Sequence, residues 1–239
     1  MDVRGKTALV TGGSDGIGRE IALQLQGLGA DVIVSGRSPE KLQAMAALGF
    51  EIIVGDLSGP TGIDAVVDCV AGKPLALLVN NAGVGSDYAL DDIASLASAA
   101  QCIDTNFYAP IAVITRLLPQ LKAQGEAMIV NVTSGLAIAP RAGGPIYCAT
   151  KAALRSYTQA VRYQLKDSGV KVLEALPPLV ATNMTTGRGG KMMSAADCAA
   201  EIVAGIKANR AEVAVGQTKL LRLVHSMSPA LARRIMIKF

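Results

Sequence analysis

A hydroxyl, a phenol and an ammonium are brought close together by one stretch of this sequence. The apolar run 127–130 is typical of a buried strand and ends shortly before Ser134. Pro145 then opens a helical pattern in which Tyr147 and Lys151, four residues apart, share one face. Such a trio can exchange a proton with a substrate oxygen while a hydride moves at the neighbouring carbon. A solvated lysine beside a half-buried tyrosine would give the same pattern, so this interpretation requires a cofactor site elsewhere in the chain.

A glycine-rich turn near the start of the chain predicts that cofactor site. The strand predicted at 7–11 is followed by Thr-Gly-Gly-Ser-Asp-Gly-Ile-Gly and by a helix predicted at 17–27. The first glycine allows a tight turn, the third allows the backbone to approach a pyrophosphate, and the last allows the helix to pack closely. The helix N-terminus then presents free N–H groups to phosphate. The candidate cofactor-binding residues of this turn are Gly12, Ser14, Asp15, Gly16, Ile17 and Gly18.

The end of the second predicted strand indicates which dinucleotide fits. A carboxylate there usually holds a ribose 2′-hydroxyl, whereas an arginine accommodates a 2′-phosphate. In this chain Gly36 stands at the acidic position and Arg37 follows it. The guanidinium favours NADP, although Asp15 nearby is unfavourable for a phosphate and NAD stays possible. The alternative is a surface arginine without a partner.

Two more segments follow predicted strands and face the same edge of the sheet. Asp56 and Leu57 follow the third strand, where the carboxylate could accept from an adenine amino group or simply cap the next turn. Asn81, Ala82 and Gly83 end the fourth strand at the carboxyl edge, where ligands of such sheets bind. We therefore include all five among the candidate cofactor-binding residues.

Strands alternate with helices along the whole chain. Strands are predicted at 7–11, 32–34, 51–54, 75–79, 127–133, 170–175 and 212–215. This alternation predicts βαβ units, and a core with 3% aromatics and no tryptophan suits a parallel sheet covered by helices. The expected fold class is α/β: a single-domain Rossmann fold with a doubly wound, parallel, seven-stranded sheet and helices on both faces. We expect one domain over 1–239, with a dinucleotide-binding half at about 1–125 and a catalytic and substrate-binding half at about 126–239.

Composition argues against several function classes. The net charge of +4 comes from 23 basic and 19 acidic residues without a basic block, which argues against nucleic-acid binding. Four separated cysteines and the single His225 form no metal-ligand set and suit a reducing compartment. No apolar run reaches the ~18 residues of a membrane span. We expect a soluble, cytoplasmic protein that binds no metal.

Five motifs together resemble one protein family. The motifs T-G-x-x-x-G-I-G, N-N-A-G, Asn106, Ser134 and Y-x-x-x-K occur in the order and spacing of the classical short-chain dehydrogenase/reductase family. The resemblance covers essentially the whole chain. The pair S-G-R-S-P-E-K-L and A-L-P-P-L-V-A-T-N-M is most similar to the DltE-type oxidoreductases.

The resemblance implies a catalytic tetrad of Asn106, Ser134, Tyr147 and Lys151. Tyr147 would exchange the proton, and a nearby Lys151 ammonium would favour its phenolate form. Lys151 would also hold the nicotinamide ribose, so that Tyr147 and Lys151 belong to the cofactor site too. Ser134 would steady the substrate oxygen, and Asn106 would anchor a water that relays protons to Lys151. A polar residue that merely kinks a helix is the alternative for Asn106.

The resemblance also implies a nicotinamide-binding loop and a substrate flap. Val180 and Thr182 match the family's P-G-x-V-x-T segment and would bind the carboxamide, whereas Pro178 replaces the usual glycine and removes an N–H. The segment Asn183–Met193, with its glycines and methionines, is predicted to be a mobile substrate flap. The basic tail 217–239 could lie on a membrane or close over substrate, but packing on its own domain or on a neighbouring subunit is favoured.

These observations predict an NADP-dependent oxidoreductase that interconverts a ketone or aldehyde and an alcohol, with Tyr147 as acid and base. The alternatives are an NAD-dependent alcohol dehydrogenase, an enzyme that uses the cofactor internally for epimerisation or dehydration, and a nucleotide-sensing protein without turnover. The expected partner is a small carbonyl or alcohol substrate. The helices around Asn106 and Tyr147 are the family's usual subunit contacts, so a homodimer or homotetramer is expected.

Overall fold

Seven parallel strands form a single sheet in this structure, a computed structural model that describes residues 1–187, 189 and 192–237. The strand order is β3-β2-β1-β4-β5-β6-β7. The strands are β1 (Thr7–Thr11), β2 (Asp31–Gly36), β3 (Glu51–Val54), β4 (Leu75–Asn80), β5 (Ala127–Val132), β6 (Val170–Leu176) and β7 (Glu212–Ala214). The predicted fold class is confirmed.

Helices connect the strands and cover both faces of the sheet. They are α1 (Gly16–Gly27), α2 (Pro39–Ala46), α3 (Pro60–Val70), α4 (Leu96–Ile103), α5 (Ala109–Lys122), α6 (Pro145–Gln164), α7 (Ala195–Lys207), α8 (Thr218–Met227) and α9 (Pro229–Met236). Helices α1, α2 and α7 pack on one face, and α3, α5 and α6 on the other. Every residue of β1, β4 and β5 is buried, as strands covered on both sides require.

The order of the strands fixes where a ligand can bind. Connections from β1 run outward through β2 to β3, whereas the chain then returns to place β4 on the other side of β1. The loops that follow β1 and β4 therefore leave in opposite directions and open a crevice at the carboxyl edge. The loops after β5 and β6 lie beside it, so all the candidate segments reach the same edge of the sheet.

The helical patterns of the sequence predict two helices around Asn106, at about 90–104 and 107–124, and the structure differs from both in detail. The helix predicted from Leu90 is replaced by a loop and a short 3-10 turn (Ile93–Ser95) before α4, because the Asp92 carboxylate accepts from the Ala94 amide and starts the turn there. A π-turn (Asp104–Tyr108) then joins α4 to α5 without a break. Turns of this kind concentrate at functional sites.

The predicted flap lies partly outside the described residues. Its start forms a 3-10 turn (Asn183–Thr185), and its end pairs with the chain after β6 as Val180 bridges to Met193. Residues 188, 190 and 191 are not described, so the predicted mobility of the flap stays a prediction.

The tail forms a helical hairpin that packs on its own domain, as the sequence favoured. Lys219 pairs with Glu201 of α7 at 2.7 Å, and Thr218 lies against Gly135. Arg222 lies 2.5 Å from Glu212 Oε1 as an ion pair whose angles are not those of a hydrogen bond. Over the described residues, no helix is both long and apolar enough to cross a bilayer.

The packing of α7 on the sheet predicts opposite effects for two glycine-to-alanine substitutions. A Cβ at Gly205 would lie 2.3 Å from Val213 Cγ2, whereas a Cβ at Gly27 of α1 would meet nothing within 4 Å. Gly205→Ala should lower the free energy of unfolding by about 1–3 kcal/mol, because the valine has to shift in a filled core. Gly27→Ala should raise it by up to about 1 kcal/mol.

Denaturant unfolding of both variants measures these changes, with Gly205→Ala/Val213→Ala to test the cause. The second substitution should cost less in the Gly205→Ala background than in the wild type. Equal stability of Gly205→Ala and Gly27→Ala would contradict the close contact described between Gly205 and Val213.

Candidate active site

The glycine-rich loop after β1 has the geometry that a phosphate cradle needs. Gly12 and Gly16 have φ of 63° and 52°, in the left-handed region that favours glycine. A Cβ at Gly18 would lie 2.3 Å from both Gly12 O and Asn81 Nδ2. Gly18 therefore allows the start of α1 to pack closely, as predicted, against the glycine-rich loop and the segment after β4. The side chain of Asp15 accepts from the Gly16 amide at 2.8 Å and caps α1.

The loop after β4 is held to the glycine-rich loop by side chains. Thr11 Oγ1 accepts from the amides of Asn81 and Ala82, each at 3.1 Å. Asn81 Nδ2 donates to the carbonyls of Thr11 at 3.1 Å and of Gly12 at 3.2 Å. The predicted cofactor residues on the two loops thus form one rigid surface. Thr11 was not predicted as a site residue, although the T-G of the motif contains it.

The predicted 2′-phosphate position is more basic than the sequence suggested. A Cβ at Gly36 would lie 2.7 Å from Ser14 Oγ, so a carboxylate side chain there would require the Ser14 hydroxyl to shift. Arg37 is exposed and forms no ion pair with any described carboxylate. Lys41, which the sequence analysis did not single out, pairs with Asp15. The sequence contained one indication that Lys41 belongs to this position: it lies four residues after Arg37, across the start of α2.

The charge of Asp15 is compensated by its surroundings. Partial burial disfavours its ionised form, but hydrogen bonds from Lys41, Asn183 and the Gly16 amide outweigh this and hold the pKa of Asp15 below its ordinary value. The carboxylate is therefore less unfavourable for a neighbouring phosphate than its charge alone implies.

Asp56 and Leu57 lie at the end of β3. Asp56 is exposed, and its Oδ1 accepts from the Ser58 amide at 2.9 Å, which is the capping role named as the alternative. Leu57 is buried in the core below. An adenine contact for Asp56 stays a prediction.

Asn106 lies fully buried in the π-turn and holds the segment after Gly83. Its Oδ1 accepts from the Val84 amide at 2.8 Å, and its Nδ2 donates to the Val84 carbonyl at 2.9 Å and to Thr150 Oγ1 at 3.2 Å. These bonds use most of the hydrogen-bonding capacity of the Asn106 side-chain amide. The Asn106 side chain therefore positions a loop, and the predicted water relay stays untested.

Lys151 and Tyr147 lie at the junction of α6 with β5. Lys151 is buried, and its Nζ donates to the carbonyl of Val132 at 2.9 Å and lies 5.8 Å from the centre of the Tyr147 ring. Burial lowers the pKa of Lys151 to about 8. A Cβ at Gly83 would lie 3.5 Å from Nζ, so Gly83 adjoins the buried ammonium.

Ser134 follows β5 after Thr133, in the segment that continues from Val132, whose carbonyl accepts from Lys151. Its Oγ accepts from the Leu136 amide at 3.1 Å and caps a 3-10 turn (Gly135–Ala137), which leaves its hydroxyl hydrogen available. The Gly135 amide donates to the Pro177 carbonyl at 2.8 Å, which ties this loop to the loop after β6. The bond from Lys151 to Val132 places the start of this loop beside α6, and the predicted catalytic roles of Ser134, Tyr147 and Lys151 stay predictions.

A buried ionic network supports these residues from behind. Arg155, one turn after Lys151 on α6, donates to Glu174 of β6 at 3.0 Å and to Glu212 at 3.3 Å. Glu174 also accepts from Thr133, the residue before Ser134, at 2.8 Å. Burial raises the pKa of Glu174, and the Arg155 charge opposes this. The network was not predicted, although the repeat of four residues from Tyr147 through Lys151 to Arg155 indicated a shared face.

The loop after β6 closes the far side of the crevice. Val180 is buried, and a Cβ at Gly16 would lie 3.0 Å from Thr182 Cγ2. Between α1 and this loop lies a cavity of about 490 Å³, lined by Asp15, Gly16, Thr182 and Asn183 among others. The predicted carboxamide residues therefore stand opposite the glycine-rich loop.

The crevice fits a dinucleotide in its shape and in its donors. The left-handed glycines at positions 12 and 16 keep side chains out of the cradle at the start of α1. Lys151 uses one of its three N–H donors on Val132, which leaves two for hydroxyl groups of a ligand. The described residues contain no cluster of histidine, cysteine and carboxylate side chains that could hold a metal ion.

Fold and site together define an NAD(P)-dependent dehydrogenase or reductase. Residues 6–192 match the family model described as short chain dehydrogenase, and the chain belongs to that family. Among its relatives is the uncharacterized oxidoreductase DltE of Bacillus subtilis (strain 168), which is 39% identical over 189 residues, or 77% of this chain and 75% of the relative. The DltE-like resemblance is thereby confirmed.

Solved structures share the fold and differ in their cofactors. A short chain dehydrogenase from Burkholderia cenocepacia J2315, in complex with NADP, has a TM-score of 0.89 at 21% identity and covers 99% of each chain. A short chain dehydrogenase/reductase from Burkholderia phymatum, in complex with NAD, has a TM-score of 0.84 at 22% identity and covers 98% of this chain and 97% of its own. The fold therefore accepts either cofactor.

The buried ammonium predicts a pH-dependent contribution to stability. The unfolded lysine keeps its proton up to about pH 10.5, whereas Lys151 in the folded protein loses its proton near pH 8. In that window the unfolded state binds more protons, so stability rises with pH. Relative to Lys151→Met, the free energy of unfolding of the wild type should rise by on the order of 2 kcal/mol between about pH 7 and about pH 10.

Denaturant unfolding across that pH range measures the difference. Lys122→Met, which removes an exposed lysine of α5, is the matched control and should differ from the wild type by a constant amount. A constant difference for Lys151→Met as well would contradict the lowered pKa.

Proposed function

We propose that the protein is an NADP-dependent oxidoreductase that interconverts a ketone or aldehyde and an alcohol. The observation that carries the proposal is the buried Lys151 ammonium, which is bonded to Val132 O, lies 5.8 Å from the Tyr147 ring and adjoins Gly83. It lies where the strand ends of a nucleotide-binding crevice meet the helix that carries the tyrosine.

In this proposal each member of the tetrad has its own role. The bound nicotinamide supplies or accepts the hydride. Tyr147 gives a proton to the carbonyl oxygen during reduction and takes it back during oxidation. The Lys151 ammonium stabilises the phenolate and binds the ribose hydroxyls with its free donors. Ser134 donates its hydroxyl hydrogen to the oxygen that becomes negative, and Asn106 holds the loop that carries Gly83 and Val84.

The preference for NADP rests on the charges after β2. Arg37 is exposed beside Gly36, and Lys41 neutralises Asp15. A 2′-phosphate would find the Arg37 guanidinium, the Ser14 hydroxyl and a compensated carboxylate there. The exposed oxygens of Asp15 favour the second candidate, an NAD-dependent alcohol dehydrogenase, in which that carboxylate would accept from a ribose hydroxyl.

Assembly and location are part of the proposal. Leu96 and Ile103 of α4 and Tyr108 of the π-turn are large, apolar and exposed, which supports a homodimer or homotetramer through this face. All four cysteines are free thiols, which supports the reducing cytoplasm as the compartment.

Parallel titrations with NADPH and NADH test the cofactor. The wild type should bind NADPH more tightly than NADH, and Arg37→Ala should weaken NADPH binding by roughly tenfold or more while leaving NADH binding nearly unchanged, because one charge-assisted contact to phosphate is lost. Nicotinamide fluorescence gives both dissociation constants.

Arg210→Ala serves as the control, since Arg210 is exposed and precedes β7 at the opposite edge of the sheet. Equal binding of both cofactors by the wild type would favour NAD-dependent alcohol oxidation. Binding of neither would overturn the proposal.

Tyr147→Phe tests the chemistry separately from binding. Turnover in a panel of ketones, aldehydes and alcohols should fall by at least about a hundredfold, since the proton donor is lost. The dissociation constant of NADPH should stay within a fewfold of the wild-type value. A wild-type protein that binds NADPH but turns over no member of the panel would favour the nucleotide-sensing alternative.

A further inference from the structure

Both helices of the α8–α9 hairpin expose large apolar side chains. In α8, Leu220, Leu223 and Met227 recur at helical spacing and are 65%, 57% and 79% exposed. In α9, Leu231 and Ile235 are also exposed. Thr218, at the start of α8, is buried against Gly135 of the domain, Ala232 of α9 is buried, and α9 packs on α8. The hairpin is therefore amphipathic, with an apolar side that no other described part of the chain covers. We call this side the hairpin face.

Basic residues accompany the hairpin face. The segment 217–239 contains five of the chain's 23 lysines and arginines and none of its 19 acidic residues. Without this segment, basic and acidic residues would nearly balance. Arg233 and Arg234 of α9 are exposed, and no carboxylate of the described residues lies within ion-pair distance of either. Arg233 and Arg234 therefore carry positive charge that no described carboxylate compensates, on the helix that also exposes Leu231 and Ile235.

An apolar side accompanied by basic residues favours one kind of partner over another. A second copy docked through the same face would bring two hairpins of the same charge together, and like charges across an interface are unfavourable. An anionic lipid surface instead offers hydrocarbon for the leucines and phosphate for the arginines. Long basic side chains can extend to the headgroups while the apolar side enters the interface.

We propose that the hairpin face docks the protein on the surface of an anionic lipid bilayer. The helices would lie in the plane of the interface, since each is far too short to span it. The start of α8 packs on the active-site loops, where Gly135 lies against Thr218 and Leu221. Docking would therefore hold the loop after Ser134 beside the lipid. The docking itself is independent of the proposed reaction.

Vesicle co-sedimentation of the full chain tests the proposal without cofactor or substrate. The probes are vesicles of phosphatidylcholine alone and of phosphatidylcholine with about one-third phosphatidylglycerol. The protein should bind the anionic vesicles at least about tenfold more tightly than the neutral ones, and high salt should weaken the binding.

Two surface variants separate the apolar and the charged contributions. Leu223→Ser/Met227→Ser should weaken binding to anionic vesicles by about tenfold or more, because two exposed apolar side chains no longer enter the interface. Arg233→Gln/Arg234→Gln should weaken it by a similar factor and reduce its salt dependence. The matched controls, Leu48→Ser/Val54→Ser and Arg4→Gln/Arg210→Gln, replace exposed residues elsewhere and should bind like the wild type.

Light scattering of the same proteins tests the alternative partner of the hairpin face, a second copy of the chain. The proposal predicts that Leu223→Ser/Met227→Ser keeps the oligomeric state of the wild type. Dissociation of an oligomer by this variant, together with no vesicle binding by the wild type, would overturn the proposal in favour of a second copy. Equal loss of vesicle binding in the control variants would also overturn it.

Discussion

The active site depends on one hydrogen bond, from the buried ammonium of Lys151 to the carbonyl of Val132. Val132 ends the strand that leads to Ser134, and Lys151 belongs to the helix that carries Tyr147. The bond therefore ties the segment that leads to Ser134 to the helix that carries Tyr147. Burial of the ammonium has a cost, because the charged form loses hydration. The lowered pKa of Lys151 corresponds to on the order of 3 kcal/mol for this loss. Groups held against such a cost are characteristic of functional sites.

The loops around this bond are held by side chains that reach backbone groups. Strand ends leave backbone amides and carbonyls without ladder partners, and buried groups of this kind require others. Thr11 and Asn81 provide them between the loops after β1 and β4, and Asn106 provides them for Val84. The shape of the crevice is therefore fixed by hydrogen bonds within the chain. Pre-organisation of this kind reduces the entropy that binding would otherwise cost.

The sequence predicted the parts of this molecule that depend on local pattern. Alternating strands and helices predicted the sheet, and the glycines at 12, 16 and 18 were placed in the right turn because left-handed backbone and close approach both require glycine. The sequence did not predict interactions between segments distant along the chain. Glu174 and Arg155 are 19 residues apart, and only the folded structure shows that they meet behind Ser134.

The π-turn at Asn106 shows a different limit of sequence reasoning. Periodicity predicted two helices, the first ending at about Asp104 and the second beginning at about Phe107, whereas a π-turn joins them without a break. One extra residue in a turn does not change an apolar pattern enough to be seen. The two interpretations of Asn106, a functional residue and a polar residue that distorts a helix, are also compatible. The π-turn directs the side-chain amide of Asn106 toward Val84. The same distortion of the helix therefore positions the loop that contains Val84.

A lysine with a pKa near 8 has consequences for how the proposed reaction is driven. At neutral pH the Lys151 ammonium is only modestly favoured over the neutral amine, because burial has removed most of its hydration. A negative charge that forms beside it, on a phenolate or a substrate oxygen, would stabilise the ammonium as much as the ammonium stabilises the charge. Tyr147 and Lys151 would then titrate as a pair, and an apparent pKa from a pH–rate profile would belong to both. Burial thus makes the ammonium a stronger electrostatic partner for the phenolate than an exposed lysine at the same distance would be.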